Sequence, residues 1–554
     1  MRLAGHLLVD QLAIHGVGRV FCVPGESYLA VLDGLHDSAI ETIVCRHESG
    51  AGMMAEATAR LTGRPGIVMV TRGPGATNVS SAVHVADQDS APLIVFVGLP
   101  PRDTDGRGAF QEIDLQGLFG GMTKWVATIR EASRIPELIS RAFHTALQGR
   151  PGPVVIGLPE DMLVETVDVE DARPVLPAAT SCSQGEIQTF LEAVSVAKRP
   201  LIILGGSAWT PEAATSIADF ARAFDIPVAT QTRRQSLIDA HHSCYAGELG
   251  PRANPALLAL VKDSDLVILL GGRMSEVPSQ DYKLFGIPVP EQHVVHIHPG
   301  AEELGRVYQT GHGIHASPAG FAMALTARGP WNSRPLSIRT DNAHQSYLDW
   351  SERAPEMPGD LQMGAVMAHL RRALPENAVV CNGAGNYTGW VQRFHRYRTY
   401  GSQLAPISGS MGYGLPAALA AKLHEPERTV VAFAGDGCFM MNAQEFATAV
   451  QYDLPVIVIV VDNEMYGSIR MFQEREFPAR VIATGLRNPD FAALARSFGG
   501  HGETVNRTED FAPALERAMA SGRPALLHCR ISPEAINATT TLSAIRKAAL
   551  KPHA

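Results

Sequence analysis

Short apolar runs alternate with longer stretches of helical spacing along most of the chain. In the first third, residues 20–23, 42–45, 67–70, 93–97 and 154–157 are dense in Val, Ile, Leu and Phe, as strands buried on both faces are. Stretches between them, such as Glu48–Thr62, carry small and apolar residues at helical spacing. The alternation predicts a parallel sheet covered by helices on both faces. Residues 355–535 repeat it, with strands expected at 378–381, 430–434, 456–460 and 525–529.

The two ends also echo each other locally. Gly149-Arg150-Pro151 precedes the strand at 154–157, and Gly522-Arg523-Pro524 precedes the one at 525–529, each after an alanine-rich helix. Two copies of one architecture explain this; the weaker alternative is that helix–strand junctions favour Gly and Pro. A third α/β unit lies between them. It opens with a strand and glycine turn at 199–207 and adds strands at 265–270 and 294–298. Segments 168–183 and 327–357 read as linkers. The expected fold class is thus α/β, with three doubly wound parallel-sheet domains at 1–167, 184–326 and 355–535. Residues 536–554 follow as a surface tail or a lid over the active site.

Composition narrows the function classes. The chain has 554 residues, 19% of them charged and 45% hydrophobic, an ordinary globular mixture. Its net charge of −9 is dispersed and includes no basic block, which argues against a nucleic-acid partner. Residues 1–11 read as an amphipathic helix without the apolar core of a signal peptide, and no apolar stretch approaches bilayer length. The 7 cysteines are scattered without a CxxC pair, so reduced thiols in a cytoplasm are expected. His241-His242 and His296-Ile297-His298 lack a companion cluster with metal-ligand spacing, so zinc is not expected there.

Two motifs carry chemistry at strand ends. Gly435-Asp436-Gly437 follows a strand-like run at 429–434, and Asp462-Asn463 follows another at 455–461. Open α/β sheets bind ligands at the carboxyl ends of strands. An acid and an amide brought together there can ligate Mg²⁺ along with phosphate oxygens. The glycines let backbone N–H groups approach a phosphate. The pair resembles the thiamin-diphosphate fingerprint, with Asp462 replacing the first of its two asparagines. Two further segments strengthen the resemblance. Residues 46–55, Arg-His-Glu-Ser-Gly-Ala-Gly-Met-Met-Ala, resemble the amino-terminal segment that carries the family's activating glutamate. Residues 408–418, Ser-Gly-Ser-Met-Gly-Tyr-Gly-Leu-Pro-Ala-Ala, resemble the segment that bends the cofactor in the acetolactate-synthase branch.

The resemblance implies a role for each matched residue. Glu48 would contact N1′ of the aminopyrimidine and activate the cofactor, although a glutamate heading a helix is also what the macrodipole favours. Met411 would wedge under the bent cofactor, and the Gly409 carbonyl would face its 4′-amino group. Asp436, Asn463 and the carbonyl of Met465 would hold Mg²⁺. Gly385 and Asn386 would contact the diphosphate. Pro24, Asn78, Gly435, Gly437, Cys438, Tyr466 and Gly467 would complete the cofactor contacts. Residues 73–78, 89–92, 109–112 and 123–124 match acetolactate synthase segments, which adds Gln111 and Lys124 as pocket residues. A solvated loop lysine is the other reading of Lys124.

Three departures limit the substrate assignment. Met274-Ser275-Glu276-Val277 stands where acetolactate synthases carry Phe-Asp-Asp-Arg, whose arginine faces the second keto acid. Phe472 stands near the position of their acceptor-selecting Trp. Val295-His296-Ile297-His298-Pro299 replaces their Ile-Asp-Ile-Asp-Pro strand, and Gly247-Glu248-Leu249-Gly250 only partly matches their flavin-contacting segment, so FAD is not favoured. The resemblance implies a thiamin-diphosphate- and Mg²⁺-dependent enzyme that cleaves a 2-oxo acid and ligates the acyl-anion unit to an acceptor. A non-oxidative 2-oxo-acid decarboxylase or 2-hydroxyacyl lyase is one alternative, and a non-catalytic cofactor-binding paralogue the other. It further implies a homodimer or homotetramer with active sites between subunits, a small 2-oxo-acid substrate, and neither nucleic acid nor membrane as partner.

Overall fold

A computed structural model describes residues 1–178, 180–331 and 335–550. Parts of both expected linkers and the last four residues of the expected tail lie outside these. The chain builds three six-stranded parallel sheets, each flanked by helices. The first takes its strands in the spatial order Glu41–Val44, Arg19–Cys22, Gly66–Thr71, Leu93–Leu99, Pro153–Pro159, Trp125–Thr128. The last runs Gln403–Leu404, Val379–Asn382, Val430–Gly435, Ile457–Asp462, Ala525–Arg530, His501–Val505. In both, the order by chain position is second, first, third, fourth, sixth, fifth, so the repeated sequence pattern is a repeated topology. In both, the winding reverses between the first and third strands, which fixes where a ligand crevice opens.

The middle sheet differs. Its order is Tyr245–Leu249, Val228–Gln231, Pro200–Leu204, Leu266–Leu270, His293–His298, His312–His315. This is the 3-2-1-4-5-6 order of dinucleotide-binding sheets.

The outer units share one apolar core. Ala51, Met53, Met54 and Val79 of the first join Leu415, Ala418 and Phe433 of the last, all nearly inaccessible to water. Helix Glu48–Thr62 lies along helix Gly414–His424. Buried carboxylates clasp the two units reciprocally. Glu445 of the last unit accepts the backbone N–H groups of Arg46 (3.2 Å) and His47 (2.9 Å), just before helix Glu48–Thr62. Asp89 of the first unit accepts the N–H of Ile407 at 2.6 Å, ahead of helix Gly414–His424. Residue 50 must lack a side chain for the first clasp to close, because a Cβ there would stand 2.4 Å from Glu445 Oε1.

Two expectations need correction. The second linker contains helix Ile338–Glu352, capped by Ser337 and packed on strand Tyr245–Leu249, with Tyr347 against Tyr245 at 4.6 Å. The amino-terminal helix is Ala4–Ile14, preceded by a two-residue strand, Arg2–Leu3, that pairs with Thr166–Val167. Among the described residues no helix is long and apolar enough to cross a membrane.

Candidate functional site

In the carboxy-terminal unit the winding reverses between Val379–Asn382 and Val430–Gly435, and a cavity of about 300 Å³ opens there. That is the lower end of the size range for small-molecule sites. Loops after three strands line it. Gly385 and Asn386 follow the first, Gly435, Asp436, Gly437 and Cys438 the third, and Asn463, Met465, Tyr466 and Gly467 the fourth. Gly409 and Met411 close one side. Twelve of the residues expected around the cofactor therefore share one wall.

The donor set suits a metal-bound diphosphate. Helix Gly467–Glu476 has no side-chain cap, and its first residues, Gly467, Ser468 and Ile469, face the cavity, where unpaired N–H groups favour an anion. Asp436 Oδ2 accepts from Met465 N at 3.1 Å and from Asn488 Nδ2 at 2.8 Å. Burial pushes the Asp436 carboxyl up to about 6, only partly offset by the Asn488 hydrogen bond. A carboxylate held at such a cost gains from a cation, which is the chemistry of an oxygen-ligated Mg²⁺ site.

Asp462, the departure from the fingerprint, lies against Asp436, and its charge adds to what raises the Asp436 carboxyl. Its Oδ2 meets His528 Nε2 at 2.7 Å, and its Oδ1 accepts from Glu464 N and from the same Asn488 amide at 2.8 Å. Burial opposes its charge, yet these hydrogen bonds keep its carboxyl below the usual range. Asn488 thus bridges two buried carboxylates. It escaped the sequence reading because it lies in an irregular segment with no motif around it. Ala535 and Ile536 of the carboxy-terminal segment also line the cavity. Helix Leu542–Ala549 beyond them is tied down by Arg546 Nε on Glu474 at 2.7 Å.

The amino-terminal candidates gather elsewhere. Glu48 is the first residue of its helix, and Asn78 Nδ2 donates to its Oε2 at 2.9 Å. Gly75 lies beside Glu48 Oε1, and Pro24 follows strand Arg19–Cys22 at the same edge of the sheet. Gln111 adopts a left-handed backbone (φ 61°), and its carbonyl accepts the Gly73 N–H at 2.9 Å, which docks its loop on helix Arg72–Asp89. None of these residues belongs to the lining of the carboxy-terminal cavity. Lys124 does not join them. Its ammonium donates to the Gln148 carbonyl beside the middle unit, and burial lowers its pKa to about 8.

The switch point of the middle unit, where a dinucleotide would bind, lies between Pro200–Leu204 and Leu266–Leu270. The Gln231 side chain stands between the ends of these two strands. A Cβ on Gly205 or Gly272 would fall 2.0 or 2.1 Å from Gln231 Oε1, and Gln231 Nε2 donates to the Arg273 carbonyl at 2.8 Å. His296 and His298 are buried against the carbonyls of Gly272 and Gly300, and burial holds both near 4. A cavity of about 240 Å³ lined by Arg273, Met274, His296 and Glu303 opens beside the switch point, and the neutral imidazoles at 296 and 298 offer no carboxylate there for a ribose.

Comparison with known proteins identifies the family. Three family models match: thiamine pyrophosphate enzyme, N-terminal TPP binding domain, over residues 2–118; its central domain over 187–325; and its C-terminal TPP binding domain over 383–529. The acetolactate synthase isozyme 2 large subunit of Escherichia coli (strain K12) is 31% identical over 95% of this chain and 94% of its own length. The acetolactate synthase large subunit of Parasynechococcus marenigrum is 30% identical over 95% and 86%. The probable acetolactate synthase large subunit of Methanocaldococcus jannaschii is 30% identical over 95% and 91%.

Proposed function

The chain belongs to the thiamine pyrophosphate enzymes, in their acetolactate-synthase-like family, and from that premise we propose that it cleaves a 2-oxo acid with Mg²⁺ and ligates the acyl-anion unit to an acceptor. The observation that carries this reading is the convergence of Gly409, Met411, Asp436, Asn463 and Met465 on one cavity. When bound, thiamin diphosphate supplies the electron sink for such a reaction. Asp436, Asn463 and the Met465 carbonyl hold the metal, and Asn488 keeps Asp436 oriented towards it. Met411 and Ile536 add apolar surface that excludes water. Glu48 holds a proton at N1′ of the aminopyrimidine, its orientation set by the Asn78 amide and the Glu445 clasp.

Because Glu48 does not line the carboxy-terminal cavity of its own chain, the complete site forms between two copies in this reading. Each copy lends Glu48 to the other's carboxy-terminal cavity. No flavin takes part, so the purified protein is colourless, and a stoichiometric flavin spectrum would contradict that. Simple decarboxylation is the second reading, favoured by the absence of arginine from 274–277. Assaying a panel of 2-oxo acids for CO₂ release, with and without aldehyde and 2-oxo-acid acceptors, separates the two. Ligated product is expected. Release with free aldehyde alone favours the decarboxylase, and no release from any substrate sinks both.

A further inference from the structure

Arg252 of the middle unit reaches the wall of the carboxy-terminal cavity. Its Nη2 donates to Asn386 Oδ1 at 2.7 Å, an oxygen that also accepts from Ser468 Oγ at 3.2 Å. Asn386 and Ser468 both line the cavity. The remaining N–H groups of Arg252 have no protein acceptor, and no Asp or Glu pairs with it, among the described residues. Burial pulls its pKa below the ordinary value, and no neighbouring carboxylate offsets that. Glu248, on the same segment, is engaged by the Arg233 N–H instead. The surroundings accommodate the guanidinium closely, since a Cβ on Gly389 would stand 2.8 Å from Nη1. Arg393 lies nearby, with its Nε donating to the Trp350 carbonyl at 2.9 Å and no Asp or Glu paired with it among the described residues. It lies 3.6 Å over the Trp350 ring and lines a small adjoining crevice together with Arg252 and Thr539.

A half-buried guanidinium with free donors and no counter-ion is a receptor for a planar or multi-oxygen anion, which its fork can engage through paired hydrogen bonds. We propose that Arg252, in the small crevice that adjoins the carboxy-terminal cavity behind Asn386, binds an oxyanion and so helps to set what the enzyme accepts. The inference rests on the functional reading above. The oxyanion comes from one of two sources, the diphosphate of the cofactor or the carboxylate of the 2-oxo acid. The second source would supply from the middle unit the cation that residues 274–277 lack.

The test compares wild type, Arg252→Gln and Arg252→Lys in the full-length protein. Calorimetry measures thiamin diphosphate binding in the presence of Mg²⁺, and initial rates at saturating cofactor give kcat and KM for pyruvate. A tenfold or greater loss of cofactor affinity in Arg252→Gln, partly restored by Lys, identifies the diphosphate. A tenfold or greater rise in KM, with cofactor affinity and kcat kept, identifies the carboxylate. A residue that only pins the Asn386 loop would lower kcat and melting temperature without either selective loss, and that result overturns the proposal. So do unchanged values in both variants. If Arg252→Gln does not fold, Arg252→Lys decides alone: a several-fold loss in one arm supports the role, and none refutes it. Failure of the wild type to bind thiamin diphosphate would instead sink the functional reading, and this role with it.

Discussion

At Glu48 the carboxylate meets one fixed donor, the Asn78 amide, while Oε1 carries no hydrogen bond among the described residues. That leaves one oxygen for a ring nitrogen. Glu48→Gln keeps the size and the Asn78 contact but cannot cycle a proton. It is expected to bind thiamin diphosphate normally and to slow C2–H exchange by orders of magnitude; exchange at the wild-type rate would remove Glu48 from the chemistry. Two residues on, Gly50 makes room for the clasp. Gly50→Ala drives a Cβ into the Glu445 carboxylate and should cost about 1–3 kcal/mol in denaturant unfolding, as overpacking does. A loss below a few tenths would mean that the clasp yields freely. Both residues were visible in the sequence because they sit in one short motif. Glu445, Asn488 and Arg252 were not, because each acts on residues brought to it only by folding.

Among the elements, helix Glu48–Thr62 carries a second buried acid, Glu56, on the face turned to Gly414–His424. Its Oε2 accepts from the Tyr413 hydroxyl, while Oε1 is buried without a partner among the described residues. Asp89 takes Arg60 at 3.2 Å. Burial pushes the Glu56 carboxyl up to about 8, against the pull of Arg60. An acid whose folded pKa is raised binds more protons folded than unfolded, so stability falls as pH rises from the unfolded value, near 4.5, through the folded one. Glu56→Gln should flatten that dependence and raise the melting temperature more at pH 8 than at pH 5. An equal shift at both pH values would show Glu56 ionised in the fold. Most strands that sequence patterning located are central ones, whose long apolar runs such as Ile457–Asp462 are buried on both faces. Of the edge strands it found Glu41–Val44 but missed Gln403–Leu404, which is two residues long, and His312–His315, which buries only Ile314; it also missed the short interior strand Val228–Gln231. Helix Ile338–Glu352 escaped for a related reason, since only Thr340, Tyr347 and Ser351 of its residues are buried, which leaves no apolar stripe to read.

In the whole molecule, two units of one topology share a core. The first carries Glu48 paired with Asn78, the second lines its cavity with the metal-ligand set, and the middle unit reaches that wall through Arg252. Sequence patterning showed the repeat and the order of the units, because both rest on local runs. It did not show that Glu48 lies outside the cavity of its own chain, which depends on how the units pack. Mixing inactive Glu48→Gln and Asp436→Ala proteins decides whether Glu48 and that cavity join across two chains. In a hybrid pair one site carries both substitutions and the other carries neither. With subunit exchange verified by mass spectrometry, thiamin-diphosphate-dependent CO₂ release from a 2-oxo acid turned over by the wild type should reappear, towards about one quarter of the wild-type rate per chain for random dimers. Verified hybrids that remain inactive would contradict a site built between two copies and place it within a single chain.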